Sequence, residues 1–133
     1  MMGNMTPELL MLTLSVVLGF VHIFAGAIAR TAQYGSKWNV GARDGEMQRL
    51  NPVAGRLQRA SQNFFETFPL FAVLVLIADA VNRHGLLTVW GSELYFVCRV
   101  IYLPLYAFGI PVVRTVVWTA ASLGIFMILI ALF

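Results

Sequence analysis

Cysteine is almost absent: Cys98 is the only one in 133 residues. A single thiol excludes an internal disulfide and any CxxC redox pair. It lies in an apolar run beside Arg99, where a packed, inert thiol is the expectation. Histidine is nearly as scarce. His22 and His84 have no metal-ligand spacing to each other or to a carboxylate, so no metal site is expected. Charge is low too: 11% of residues are charged, against about 25% in soluble proteins. The chain also lacks internal repeats and low-complexity tracts. No Lys or Arg precedes the first apolar run, so the basic segment that opens a secretory signal is missing. That run is expected to remain as a helix. Thr6 caps it, Pro7 sits in its first turn and Glu8 lies near the positive end of its dipole.

Apolar residues make up 59% of the chain, gathered in four stretches over residues 9–29, 55–81, 92–109 and 115–133. The first and last carry no charge. The second carries Arg56, Arg59, Glu66 and Asp79, and the third carries Glu93 and Arg99. Each approaches the roughly 20 residues that cross about 30 Å of hydrocarbon. The expected architecture is an all-α membrane protein of one domain over residues 1–133. It is an up-down bundle of four transmembrane helices at about residues 7–30, 55–81, 92–109 and 112–133, joined by short connections. Residues 31–54 read as a loop, from Gly35, Gly41, Gly45 and Asn51-Pro52. Tyr34 and Trp38 suit the membrane interface. Residues 82–91 read as a second loop and residues 109–111 as a tight turn.

The net charge of +3 is a topology signal rather than a nucleic-acid signal. Arg30, Lys37, Arg43, Arg49, Arg56 and Arg59 lie between or at the ends of the first two helices. Arg114 lies between the last two, and Arg83 alone lies in the middle connection. The positive-inside rule puts loops 31–54 and 109–114 in the cytoplasm and both termini on the opposite side. The same basic residues suit contact with lipid headgroups.

Ionisable groups inside a bilayer are costly and point to function. Arg59, Gln62, Asn63 and Glu66 fall within an arc of about 100° on the second helix. Arg99, Tyr102 and Tyr106 share one face of the third. If Glu66 is level with Arg99 on the antiparallel neighbour, Asn63 is level with Tyr102 and Arg59 with Tyr106. A structural Glu66–Arg99 ion pair is therefore expected, since either charge alone would be costly. The remaining polar groups run towards Arg114 and Arg30. Such a funnel of cationic donors, with a carboxylate at its inner end, suits a small zwitterion with more than one carboxylate.

At these residues the chain resembles the family of membrane-associated proteins in eicosanoid and glutathione metabolism, MAPEG. The block Arg59-Ala60-Ser61-Gln62-Asn63-Phe64-Phe65-Glu66-Thr67-Phe68-Pro69 is similar to the family's second-helix signature. Arg99-Val100-Ile101-Tyr102, continued by Tyr106 and Arg114, resembles a second block, and Arg30 matches a third position. The resemblance implies a homotrimer that binds glutathione as co-substrate between subunits. Arg30, Arg59, Gln62, Asn63, Glu66, Tyr102 and Tyr106 would hold it. Arg114 would be the catalytic residue that stabilises the thiolate. A small lipophilic electrophile would arrive from the membrane lipids. Gln62, Thr67 and Thr115 depart from the residues of eicosanoid-making members, which points to other electrophiles. The loop Trp38-Asn39-Val40-Gly41-Ala42-Arg43-Asp44 is similar to bacterial members and implies a bacterial inner membrane. Two other classes share the outline. One is a protein of this fold with altered chemistry that binds another amphiphile or lipid. The other is a small four-helix exporter, but such exporters carry a key acid within the first helix, where this chain has only Glu8 at the start.

Overall fold

The computed structural model describes residues 3–133 as five helices. They are α1 (Pro7–Tyr34), α2 (Ser36–Val40), α3 (Pro52–Ala80), α4 (Leu86–Ala107) and α5 (Pro111–Ala131). The start signals are local. The Thr6 hydroxyl accepts the Leu9 N–H at 3.3 Å, and the Asn51 side chain accepts the Ala54 N–H at 2.8 Å. Both caps precede a proline in the first turn, where its missing N–H costs nothing. Gly109, at φ 74°, makes the left-handed turn into α5. The four long helices run from 21 to 29 residues, about 32 to 44 Å at 1.5 Å per residue, enough to span hydrocarbon. Their outward faces are apolar: Val17, Ile28, Leu70 and Phe126 are each more than half exposed. The chain is an integral membrane protein with a four-helix transmembrane bundle.

Several boundaries differ from the sequence expectation. The first helix continues to Tyr34, and a single turn, α2, forms inside the expected loop. The second begins at Pro52, where Asn51 caps it. The third begins at Leu86, so half of the expected outer loop is helical. Gly91 suggested a break, but it is a packing glycine inside α4. It faces Gly124 of α5, and a Cβ on either would come within 2.6 Å of the other's carbonyl oxygen. This lets α4 and α5 lie backbone to backbone, a small-residue contact familiar in membranes. No GxxxG spacing announces it in the sequence.

The core is Phe71 and Val75 of α3, Tyr95 and Cys98 of α4, and Ala121 and Ile128 of α5. α1 packs on α3 and α4, while α5 packs along α4 and meets α3 only lightly. At the end where α1 and α4 begin, Glu8 stands in the first turn of α1, as expected. It is buried, accepting the Thr88 hydroxyl at 2.5 Å and meeting His84 Nδ1 at 3.2 Å. Asp79 lies 3.6 Å from the other nitrogen of His84. The antiparallel order places the starts of α1 and α4 beside the end of α3, which brings these groups together.

The register of α3 on α4 overturns one expectation. Arg99 Nη1 donates to Asn63 Oδ1 at 2.8 Å, and the Thr67 and Tyr95 hydroxyls are 3.1 Å apart. Arg56 Nε donates to the Ala107 carbonyl at 2.9 Å. These three contacts set α3 about one turn away from the level that would pair Glu66 with Arg99. Glu66 is exposed on the outer face of α3, and the expected Glu66–Arg99 ion pair does not form within the chain.

Candidate functional site

Asn63 of α3, Tyr102 and Tyr106 of α4, and Arg114, Thr115 and Trp118 of α5 line a cleft of about 250 Å³. Tyr102 and Tyr106 are one turn apart on α4, so their rings meet edge to face at 5.6 Å. Arg114 enters from the first turn of α5, and its guanidinium carbon lies 4.5 Å from the centre of the Tyr106 ring. The tight turn at Gly109 and Pro111 brings these two residues together.

Behind the cleft lies Arg99, with no exposed surface. Its guanidinium carbon is 4.3 Å from the centre of the Tyr102 ring and 5.4 Å from that of Phe64. Two aromatic faces thus stabilise a charge that no carboxylate neutralises among the described residues. Its Nε and Nη2 have no hydrogen-bond partner, so the Asn63 contact carries most of its satisfaction. Guanidinium can only donate. The Asn63 carbonyl oxygen must therefore face Arg99, leaving the amide N–H groups free for the cleft. With Arg114 and the tyrosine hydroxyls, the lining is rich in donors and contains no carboxylate. Such a lining suits an anion.

This arrangement gives Asn63 a structural role as the partner of Arg99. Asn63→Leu removes the one hydrogen-bond acceptor of a buried cation, and such bonds contribute about 1.5–3 kcal/mol. The expected result is a loss of about 2 kcal/mol in detergent unfolding. Glu66→Gln, on the outer face, is expected to leave the Arg99 environment unchanged. The opposite ranking of the two variants would contradict the observed register.

The other sequence candidates do not enter the cleft. Arg59 lines a separate cavity, and Gln62 and Glu66 are exposed on the outer face of α3. Arg30 folds back along α1, its Nη1 lying 3.3 Å from where a Gly26 Cβ would stand. Trp118 belongs to the cleft but was missed from the sequence. Its position four residues after Arg114, one turn along the same helix, was the available signal. Trp118 also borders an apolar groove of about 540 Å³ between α3 and α5, which includes Thr67, Leu70, Val73, Ile125 and Phe126. Donor-lined cleft and apolar groove are neighbours across one indole ring.

A family model, that of the MAPEG family, matches residues 11–133. The chain belongs to the MAPEG family. The match covers all of α3, α4 and α5, and α1 from Met11 onwards. A comparison with curated proteins found no match. In this MAPEG chain the α3 signature divides between two faces. Asn63, at one edge of the polar arc, turns inward to the cleft. Arg59, Gln62 and Glu66 turn outward.

Proposed function

We propose that this MAPEG protein is a glutathione transferase that joins the glutathione thiolate to lipophilic electrophiles in the membrane. The observation that carries the reading is the donor-lined cleft around Arg114 opening beside an apolar groove at Trp118. A tripeptide with two carboxylates needs donors and cations, and a lipophilic electrophile needs an apolar approach. Both requirements meet at one point. The glutathione thiol loses its proton to water, and Arg114 stabilises the resulting thiolate. The sulfur lone pair then forms a carbon–sulfur bond, and the electrophile's leaving group departs with the displaced electron pair. Asn63, Tyr102 and Tyr106 position the peptide.

The outward stripe of Arg59, Gln62 and Glu66 supports a homotrimer. Polar side chains at the middle of a membrane helix are costly against lipid. A second copy of the chain, with glutathione between the copies, gives them polar surroundings. Arg30 then joins the same interface. In this reading Arg59 anchors a glutathione carboxylate and Glu66 meets its ammonium group.

The proposed location is a bacterial inner membrane, with residues 31–54 and 109–114 on the cytoplasmic side. A cysteine at Ser36 is expected to react with an impermeant maleimide only from the cytoplasm. One at Leu86, 78% exposed, reacts only from the other side. The reverse labelling pattern would refute this orientation.

Calorimetric titration of the purified protein with glutathione tests the central reading, followed by conjugation of an activated aryl halide. Absence of glutathione binding would sink it. Binding without conjugation would leave a protein of the same fold that takes up a peptide without performing transfer.

A further inference from the structure

The last carbonyls of a helix have no partner within it and must find one elsewhere. At the end of α4 the following turn meets two of them. The Ile110 N–H donates to the Leu105 carbonyl and the Gly109 N–H to the Tyr106 carbonyl, each at 3.0 Å. These bonds close around Gly109 at φ 74°, a Schellman turn. The next carbonyl, that of Ala107, is met from another helix. Arg56 Nε, just past the first turn of α3, donates to it at 2.9 Å. The same guanidinium lies along the turn, where a Cβ on Gly109 would stand 3.3 Å from Arg56 Nη1. A cation at this place also faces the negative end of the α4 dipole.

This contact holds the part of the chain that carries Arg114 to the cleft. Ala107 follows Tyr106, and the turn leads through Pro111 into the first turn of α5, where Arg114 stands. α5 meets α3 only lightly, so the place of Arg114 opposite Asn63 is set largely at the turn. Among the described residues, Arg56 is the α3 side chain that bonds to it. Arg56 and Asn63 lie two turns apart on one face of α3. Their bonds to Ala107 and Arg99 therefore grip α4 on either side of Tyr102 and Tyr106.

We propose that Arg56 is a positioning residue: by holding the α4–α5 turn against α3, it sets where Arg114 meets the thiol of glutathione. The link to the thiol rests on the transferase reading, while the hold on the turn does not. Two measurements keep them apart. Hydrogen exchange by mass spectrometry in detergent reads the turn, through peptides carrying the bonded amides of Gly109 and Ile110. Arg56→Gln is expected to speed their exchange about tenfold, with peptides of α1 unchanged. Thiolate absorbance of bound glutathione against pH reads Arg114. The other titratable groups of the cleft are Tyr102 and Tyr106, and no carboxylate lines it. Arg56→Gln is expected to raise the midpoint of thiolate formation by about one pH unit and to slow conjugation about tenfold at neutral pH. The two rates converge at alkaline pH, where the thiol ionises unaided, and glutathione affinity changes little. Arg56→Lys is expected to recover part of both effects, because the Ala107 contact is a single bond that an ammonium can replace. Arg56→Met keeps the apolar stem and loses the donors, and it serves if Arg56→Gln does not assemble. Unchanged exchange at Gly109 and Ile110 would overturn the proposal outright. Faster exchange with the thiolate midpoint of wild type would overturn the link to Arg114. If wild type itself binds glutathione without forming thiolate, the transferase reading falls, and exchange alone decides whether Arg56 holds the turn.

Discussion

Arg114→Ala is expected to lower the conjugation rate about 10- to 1000-fold while changing glutathione affinity little. A free thiol titrates near about 8.5, so only a few per cent is thiolate at neutral pH. A guanidinium beside the sulfur shifts that balance by about one to three pKa units, each equivalent to about 1.4 kcal/mol. Arg114 is well placed for this, because stacking on Tyr106 directs its guanidinium without a carboxylate to neutralise it. Arg59→Ala is expected to do the reverse: it raises the glutathione dissociation constant with a smaller effect on turnover, as loss of a ground-state anchor does. Thiolate absorbance on adding glutathione reads the first effect directly, and stopped-flow conjugation reads its consequence. If Arg114→Ala keeps full thiolate formation, thiolate stabilisation by Arg114 is refuted. If wild type binds glutathione without forming thiolate at neutral pH, transfer itself is refuted.

Gly124→Leu is expected to abolish the folded bundle, and Gly124→Ala to cost about 3 kcal/mol, the upper range for overpacking. A Cβ at Gly124 would stand 2.5 Å from the Gly91 carbonyl oxygen and 3.0 Å from the Tyr95 amide nitrogen. Both are backbone atoms inside α4, so the helix cannot yield by a side-chain rotation. Relief requires α4 and α5 to separate along their main contact. That movement also displaces Arg114 from Tyr106, because the two residues stand on opposite sides of the same interface. Gly91→Ala is expected to have a similar effect from the other side. Leu123→Ala, on the outward face of the same turn, is the control and is expected to change stability little. Thermal unfolding in detergent with size-exclusion chromatography measures both. A Gly124→Ala protein that melts like wild type would contradict the close crossing.

The spans were legible because hydrocarbon sets a length, and four apolar runs of that length are hard to mistake. Pro7, Pro52 and Pro111 mark three helix starts for the same local reason, a missing N–H that the first turn does not need. The start of α4 was less legible. Gly91 and the polar neighbours of His84 resemble a loop, and only the opposing Gly124 reveals a glycine retained for close packing. Glu8 illustrates the same gap. Its position fits an ordinary helix-start acid, while Thr88 and His84, its partners, lie far along the chain.

The sequence by itself determined that the chain crosses a membrane as a helical bundle. It also determined that one stripe on α3 and one face of α4 carry polar groups that lipid would not tolerate. Composition and a period of 3.6 residues suffice for that. Only the tertiary structure decided which member of the stripe meets Arg99. Asn63 and Glu66 are three residues apart, so sliding α3 by about a turn with a rotation of about 60° exchanges one residue for the other. Periodicity is blind to that displacement. The Thr67–Tyr95 and Arg56–Ala107 contacts, with the core between Phe71 and Tyr95, fix the choice, because packing in a bundle depends on height along the helix as well as on face.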